Sequence, residues 1–241
     1  LTAIRLRALG GTSLHWGGHC APLDPVDFAR APEGLTGWPF PYETLLPFWE
    51  RAHDYCDLGA FDYSLGATRG LDRDSLLFAG HPDVETRILR QSEPTRFGEK
   101  YLPTLRESAT VDLWLWTNAT HVALDADGAL THIEARPLDG PARRFTARAA
   151  VLACGAVENA RLLMASNARD GRAFGEAGGL LGRCYMDHPA GGGGFLHFDQ
   201  PQPPRPYWQS IDTYAAGGIP FHFVLRPSDA ALRRERLPNV Q

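Results

Sequence analysis

Residues 9–20 read Leu-Gly-Gly-Thr-Ser-Leu-His-Trp-Gly-Gly-His-Cys, a composition that neither a hydrophobic core nor an inner strand would choose. Four glycines in twelve residues argue against a regular element, because glycine gives up more backbone freedom on folding than any other residue. The pairs Gly10-Gly11 and Gly17-Gly18 permit positive φ and let bare backbone approach a flat or anionic ligand, while Thr12 and Ser13 set short hydroxyls beside exposed amides. The stretch is expected to be a ligand-facing loop for which the remaining chain supplies rigid support. His15, between the glycine pairs and beside Trp16, has an imidazole suited to act as base, hydrogen-bond donor or point of covalent attachment.

The chain of 241 residues, 44% of them hydrophobic, can bury a real core in one large or two small domains. Its formal net charge is −4, and its densest basic run, Leu232-Arg233-Arg234-Glu235-Arg236, is short enough to be a solvated helix face. Nothing here points to a nucleic-acid partner. No apolar stretch approaches the length of a membrane span, so the chain reads as soluble, with cytoplasm and periplasm both open. Cys20, Cys56, Cys154 and Cys184 are widely spaced with no CxxC pair, and read as free thiols rather than metal ligands.

Along the chain, residues 22–28 and 34–41 are rich in proline and glycine and read as irregular connectors. Leu45, Trp49, Ala52 and Cys56 fall at helical spacing, which predicts a helix over 42–57 with Pro47 tolerable only in its first turn. Residues 57–84 read as a long excursion, 85–91 as a strand and 95–107 as a helix. The best strand territory is 111–151. There Leu113, Leu115 and Thr117 alternate with Asp112, Trp114 and Trp116, and turns at Asp125-Ala126-Asp127-Gly128 and Asp139-Gly140-Pro141 predict an antiparallel meander. Residues 149–155 read as a short buried strand broken at Gly155, followed by a helix over 156–166. Strand, glycine and helix together make a natural anion site, since the helix N-terminus offers unpaired amides and the positive end of its dipole. After the glycine run 191–194, residues 195–198, 210–214 and 220–225 read as strands of a second sheet, the first two separated by the proline-rich linker 201–206. His81 reads as an exposed loop histidine. His197 and His222, which alternate with phenylalanines, read as structural, with substrate contact the lesser reading.

Gly10-Gly11-Thr12-Ser13-Leu14-His15 resembles the Gly-Gly-x-Ser-x-His segment of the glucose-methanol-choline oxidoreductases, flavoenzymes that oxidise alcohols and sugars. In some members a histidine at this spacing is bonded to the flavin, and in pyranose oxidase-like members a tryptophan follows it, as Trp16 does here. Three further segments resemble the family in the same order: the Trp38-Pro39 to Pro47-Phe48 stretch, Val151-Leu152-Ala153-Cys154-Gly155-Ala156 with Leu162-Leu163, and Gly182-Arg183 with Asp187-His188-Pro189.

The resemblance implies an α/β (α+β) fold: an FAD-binding Rossmann-like domain portion with an antiparallel meander, plus a mixed-sheet substrate domain. Its layout would be a flavin-contacting loop and linking helix over 1–56, a substrate-side excursion over 57–110, FAD-binding domain over 111–190 and the start of the substrate sheet over 191–241. It implies FAD as cofactor, bound by Gly10, Gly11, Thr12, Ser13, His15, Trp16, Gly17 and Gly18, with His15 the candidate for a covalent bond. His121 would present its backbone to the adenine, and Cys154, Gly155 and Asn159 would line the second glycine motif. The implied reaction is hydride transfer from the CH–OH group of a sugar, glycoside or other alcohol to flavin N5, with oxygen, a quinone or a cytochrome as final acceptor. No Gly-x-Gly-x-x-Gly occurs in these residues. By the resemblance that turn belongs upstream of Leu1 and the catalytic histidine pair downstream of Gln241, so Asp187 and His188 are expected to be scaffold. The rival expectation is a non-catalytic binding module or an inactive remnant of such an enzyme.

Overall fold

Residues 221–227, Phe-His-Phe-Val-Leu-Arg-Pro, alternate in character with the period of two that separates the faces of a strand. In a computed structural model, which describes residues 5–29, 37–68, 74, 76–93, 95–171, 174–175, 179–187, 195, 197–199, 207 and 220–239, they do form a strand. The fold is α+β, with helices and two antiparallel three-stranded sheets, and the chain divides into two compact units. The first combines Leu1–Ser108 with Leu196–Gln241, and the second is Ala109–Phe195.

In the first unit, β1 (His19–Cys20), β2 (Val84–Gln91) and β6 (Phe221–Pro227) lie in the order β1-β2-β6. The register pairs His19 with Gln91, Ile88 with Phe223 and Arg90 with Phe221. One face therefore carries the core cluster Ile88, Phe221 and Phe223, with Leu65 and Tyr207 packed against it. Arg90 also lies on this face, its guanidinium 4.7 Å from the Phe221 ring centroid and donating to Leu58 O (2.9 Å) and Asp62 O (2.7 and 2.9 Å). Those carbonyls keep a buried cation hydrogen-bonded.

The opposite face ends in a buried ion cluster. Arg226, 4% exposed, donates to Glu85 (2.7 Å) and Asp229 (2.7 Å) and lies 3.2 Å from Asp24. Asp24 is also paired with Arg87, and Asn239 bonds Asp24 at 3.1 Å and Asp27 at 3.0 Å. Asp24 and Asp27 close a capping box on the short helix α1 (Pro25–Phe28), whose Val26 is fully buried. The helix α5 (Asp229–Glu235) begins at Ser228, whose hydroxyl accepts from Ala231 N, and buries Ala231 and Leu232.

The sequence reading of 42–57 resolves into a 3₁₀ turn, Tyr42–Leu45, and the helix α2 (Leu46–Cys56) with Pro47 in its first turn, as a helix requires. Leu45, Trp49, Ala52 and Cys56 are only half-buried, and the buried residue of α2 is His53. Its Nδ1 lies 3.0 Å from Gly59 O and its Nε2 3.1 Å from the Tyr63 hydroxyl. This pattern suits a neutral ring that donates at Nδ1 and accepts at Nε2. The expected strand at 85–91 and helix at 95–107 are β2 and α3 (Phe97–Glu107).

In the second unit, β3 (Asn118–Leu124), β4 (Leu130–Arg136) and β5 (Arg143–Phe145) form the expected meander through the expected turns. The helix α4 (Ala156–Asp170) packs on β3 through Leu162 and Ser166. Ser166 Oγ accepts from Val122 N at 3.0 Å and donates to Leu162 O at 2.8 Å, so a buried strand amide is satisfied by the helix.

Three expected strands are corrected. Residues 111–117 form none: 111–116 are exposed and Trp116, at φ 57° and 89% exposure, breaks extension just before β3. With tryptophans on the supposedly polar side, the alternation defined no solvent face; Trp114 packs instead on Phe145 and under Arg143. Residues 149–155 are also irregular, with Val151 89% exposed. An inner strand needs ladder partners, and among the described residues the Asn159 side chain takes that role, accepting from Cys154 N and donating to Leu152 O. Phe195, His197 and Phe198 lie in no strand, and 210–214, 191–194 and 201–206 fall outside the described residues. The expected strand at 220–225 is β6. Among the described residues no helix is long and apolar enough to cross a membrane.

Replacing Arg226 by alanine would leave Asp24 buried beside fewer cations. We expect Arg226→Ala to destabilise the first unit by about 3–5 kcal/mol in urea unfolding, against less than about 1 kcal/mol for an exposed pair such as Arg234 with Asp83. A loss no larger than the surface pair's would show the cluster to be solvated. Burial holds the His53 imidazole below its ordinary range, opposed by the bond to Gly59 and assisted by the Arg90 charge. A base with a lowered folded-state pKa contributes stability above its unfolded value, near 6.5, that is lost as pH falls through that value toward the folded one. His53→Gln should therefore flatten the decline of the urea midpoint between about pH 7 and pH 5; an unchanged slope would place the acid sensitivity elsewhere.

Candidate functional site

The glycine loop sits on α3 because two glycines remove the side chains that would separate the backbones. A Cβ on Gly98 would collide with Leu9 O, and one on Gly10 would collide with the Gly98 backbone. Gly10, at φ 87°, caps the 3₁₀ turn Gly11–Leu14, a conformation that glycine adopts without strain. Ser13 Oγ donates to Gly10 O (2.7 Å) and accepts from Phe97 N (3.3 Å), closing the turn and satisfying an amide in the first turn of α3. Arg96 Nη1 donates to Ser13 O (3.1 Å) and Trp16 O (3.3 Å), and Trp16 Nε1 donates to Thr95 O (2.9 Å). The remaining end is fixed to β2: Gln91 Nε2 donates to Gly17 O (3.2 Å) and Ser92 N to Gly18 O (2.9 Å).

Gly10, Gly11, Thr12, Ser13, His15, Trp16, Gly17 and Gly18 thus form one braced turn. Thr12, His15 and Gly17 are exposed on it, while Gly18 is buried. His15 follows the 3₁₀ turn directly, its backbone N–H bonded to Thr12 O at 3.1 Å. An exposed imidazole on a turn held from behind by Arg96 and Ser13 can reach a ligand without disturbing its support.

In the second unit, Cys154, Gly155 and Asn159 gather at the start of α4. Gly155 adopts φ 86°, ψ 156°, a region essentially confined to glycine, and a Cβ there would meet nothing within 4 Å. Asn159 braces the preceding backbone through both side-chain bonds already described. Cys154 is exposed, not the buried strand end expected. His121 is buried in β3 opposite Glu134, with Nε2 3.2 Å from Asp170 at the far end of α4, about 20 Å along the helix from Gly155. His121 therefore does not join the other three. Its Nδ1 is buried without a partner among the described residues.

Several participants carried no local signal. His19, at the end of the loop, has its Nε2 2.9 Å from that of His222, and His222 Nε2 lies 2.6 Å from Gln91 Oε1. The alternation at 221–227 places His222 on the face opposite Phe221 and Phe223, but its partner is 203 residues away. Cys20 and Cys56 are hydrogen-bonded thiols; burial, helped by Cys56, pushes the Cys20 thiol up to about 11, and burial also raises Cys56. Neither is a thiolate at neutral pH. His81 is exposed and accepts from Asp83 N, while Asp187 accepts from the Tyr185 hydroxyl; His188 and Pro189 lie outside the described residues. Among the described residues no three His, Cys, Asp or Glu side chains gather as a metal site.

The close approach at Gly98 gives a direct expectation. Gly98→Ala should cost about 1–3 kcal/mol and alter the fluorescence of Trp16, because the new methyl forces the loop off α3. Gly17→Ala, whose Cβ would make ordinary contact with the His19 ring at 3.5 Å, should leave both nearly unchanged. Equal effects would mean that the loop does not depend on the Gly10–Gly98 approach.

No family model and no solved structure matches the chain. In an alignment of 79 residues that covers 30% of the chain, it is 33% identical to the 2-methyl-1,2-propanediol dehydrogenase of Mycolicibacterium austroafricanum, and this match covers 14% of that protein.

Proposed function

We propose that this chain serves an FAD-dependent oxidoreductase of the glucose-methanol-choline family, oxidising the CH–OH group of a sugar, glycoside or other alcohol. The observation that carries the reading is the braced glycine turn with His15 exposed at its end. The partial likeness to a dehydrogenase of a small diol supports the oxidoreductase class and favours, as a second reading of the substrate, a small alcohol over a sugar.

The residues present fit such a cofactor in each unit separately. In the first, Gly11 and Gly17 keep side chains away from a flat ring, Gly10 seats the turn on α3, Thr12 and Ser13 lie on the turn, and His15 is accessible for covalent attachment. In the second, Gly155 opens α4, and amides of the helix's first turn have no partner within the helix, a setting that suits a phosphate oxygen. Glu158, the acidic residue of that turn, is neutralised by Arg161 at 2.8 Å, which lessens its repulsion of an anion. When bound, the flavin supplies the hydride acceptor. The work of these side chains is to bind and orient it, with Arg96 and Ser13 holding the turn that carries His15.

A visible absorption spectrum of the protein, followed by acid precipitation, tests the reading. A flavin spectrum is expected, with colour retained in the precipitate; His15→Ala should release that colour to the supernatant while leaving the fold intact. Colour that stays in the precipitate of His15→Ala would remove His15 as the attachment point. A colourless protein that added FAD does not restore would overturn the flavoenzyme reading.

A further inference from the structure

The register of the first sheet brings three nitrogen and oxygen donors to one end of one face. His19 lies directly opposite Gln91 across β1 and β2, and His222 lies diagonally from Gln91 across β2 and β6. The two imidazoles meet edge to face at 86°, centroids 4.4 Å apart, with their Nε2 atoms 2.9 Å from each other. Gln91 Oε1 lies 2.6 Å from His222 Nε2, and its own amide nitrogen is anchored on Gly17 O. His19 is exposed and His222 half-buried, so the pair opens to solvent on one side.

We propose that His19 and His222, with the Gln91 carboxamide oxygen alongside, form a binding site for a divalent transition-metal ion of the imidazole-preferring kind, such as Zn²⁺, Co²⁺, Ni²⁺ or Cu²⁺. Two nitrogens bound to one such ion at about 2.0–2.1 Å stand about 2.9–3.4 Å apart for bond angles of about 90–110°, the separation the two Nε2 atoms already have. Imidazole with a neutral oxygen donor suits these metals, and the exposed side leaves positions for water. In the metal-free pair at least one Nε2 carries a proton. Binding moves a neutral ring's proton to Nδ1, or releases one proton to solvent from a charged ring, so that both Nε2 lone pairs face the ion. Cys20 alternates to the other face of the sheet and is occupied with Cys56, so the site has nitrogen and oxygen donors without thiolate.

This inference stands apart from the flavin reading and is tested without activity. Co²⁺ alone is titrated into the whole chain in a non-chelating buffer at neutral pH, with visible absorption recording binding. The expected result is saturable uptake of one ion per chain, with d–d bands and no thiolate charge-transfer band. Affinity should fall by at least about tenfold in His19→Ala and in His222→Ala, and remain unchanged in His81→Ala, an exposed histidine outside the site. His19 is exposed in a strand of two residues, so its variant keeps the test valid even if His222→Ala fails to fold. Absence of saturable binding, a thiolate band, or affinity indifferent to His19→Ala would each overturn the proposal.

Discussion

The loop depends on backbone touching backbone at Gly10 and Gly98. The hydrogen bonds that brace the turn against α3 presuppose that approach: Ser13 reaches Phe97 N, and Arg96 reaches Ser13 O and Trp16 O, because the turn lies on the start of α3. A loop of four glycines would otherwise be costly to order. Here the cost is offset by side chains from outside it, which leaves Thr12 and His15 free of bracing duty and exposed. Support and presentation are separated, the condition a ligand-contacting turn needs if binding is not to distort it.

The sequence showed elements where local signals were complete. The meander was legible because two turns with Asp and Gly bracket β4, and α4 because a glycine start and apolar spacing coincide. The misreadings share one cause: an apolar run states that residues are suited to burial, not what will bury them. Residues 149–155 have the composition of an inner strand, yet their described hydrogen bonds run to Asn159. Residues 111–117 carry a period of two with aromatic residues on both sides, so periodicity alone had no solvent face to set. Of the candidate site, the glycines and His15 were legible as a loop, since glycine pairs have few other uses. The braces were not: Thr95, Arg96 and Gly98 lie some eighty residues further along an ordinary helix entry, and nothing local marks them.

The first sheet shows how one register serves three purposes. Because side chains alternate, the pairing that puts Ile88 against Phe223 in the core also puts Arg226 and His222 together on the opposite face. A slip of one residue would exchange the two sets, burying His222 and exposing Phe221 and Phe223. Such a slip is opposed at both ends. At one, Arg226 finds Asp24 and Glu85 only in the native register. At the other, Gln91 fastens the loop at Gly17 and meets His222. The glycine loop and the imidazole pair are consequently not independent features. Gln91 is common to both, and a change that displaces His222 or Gln91 must be felt at Gly17, two residues from His15.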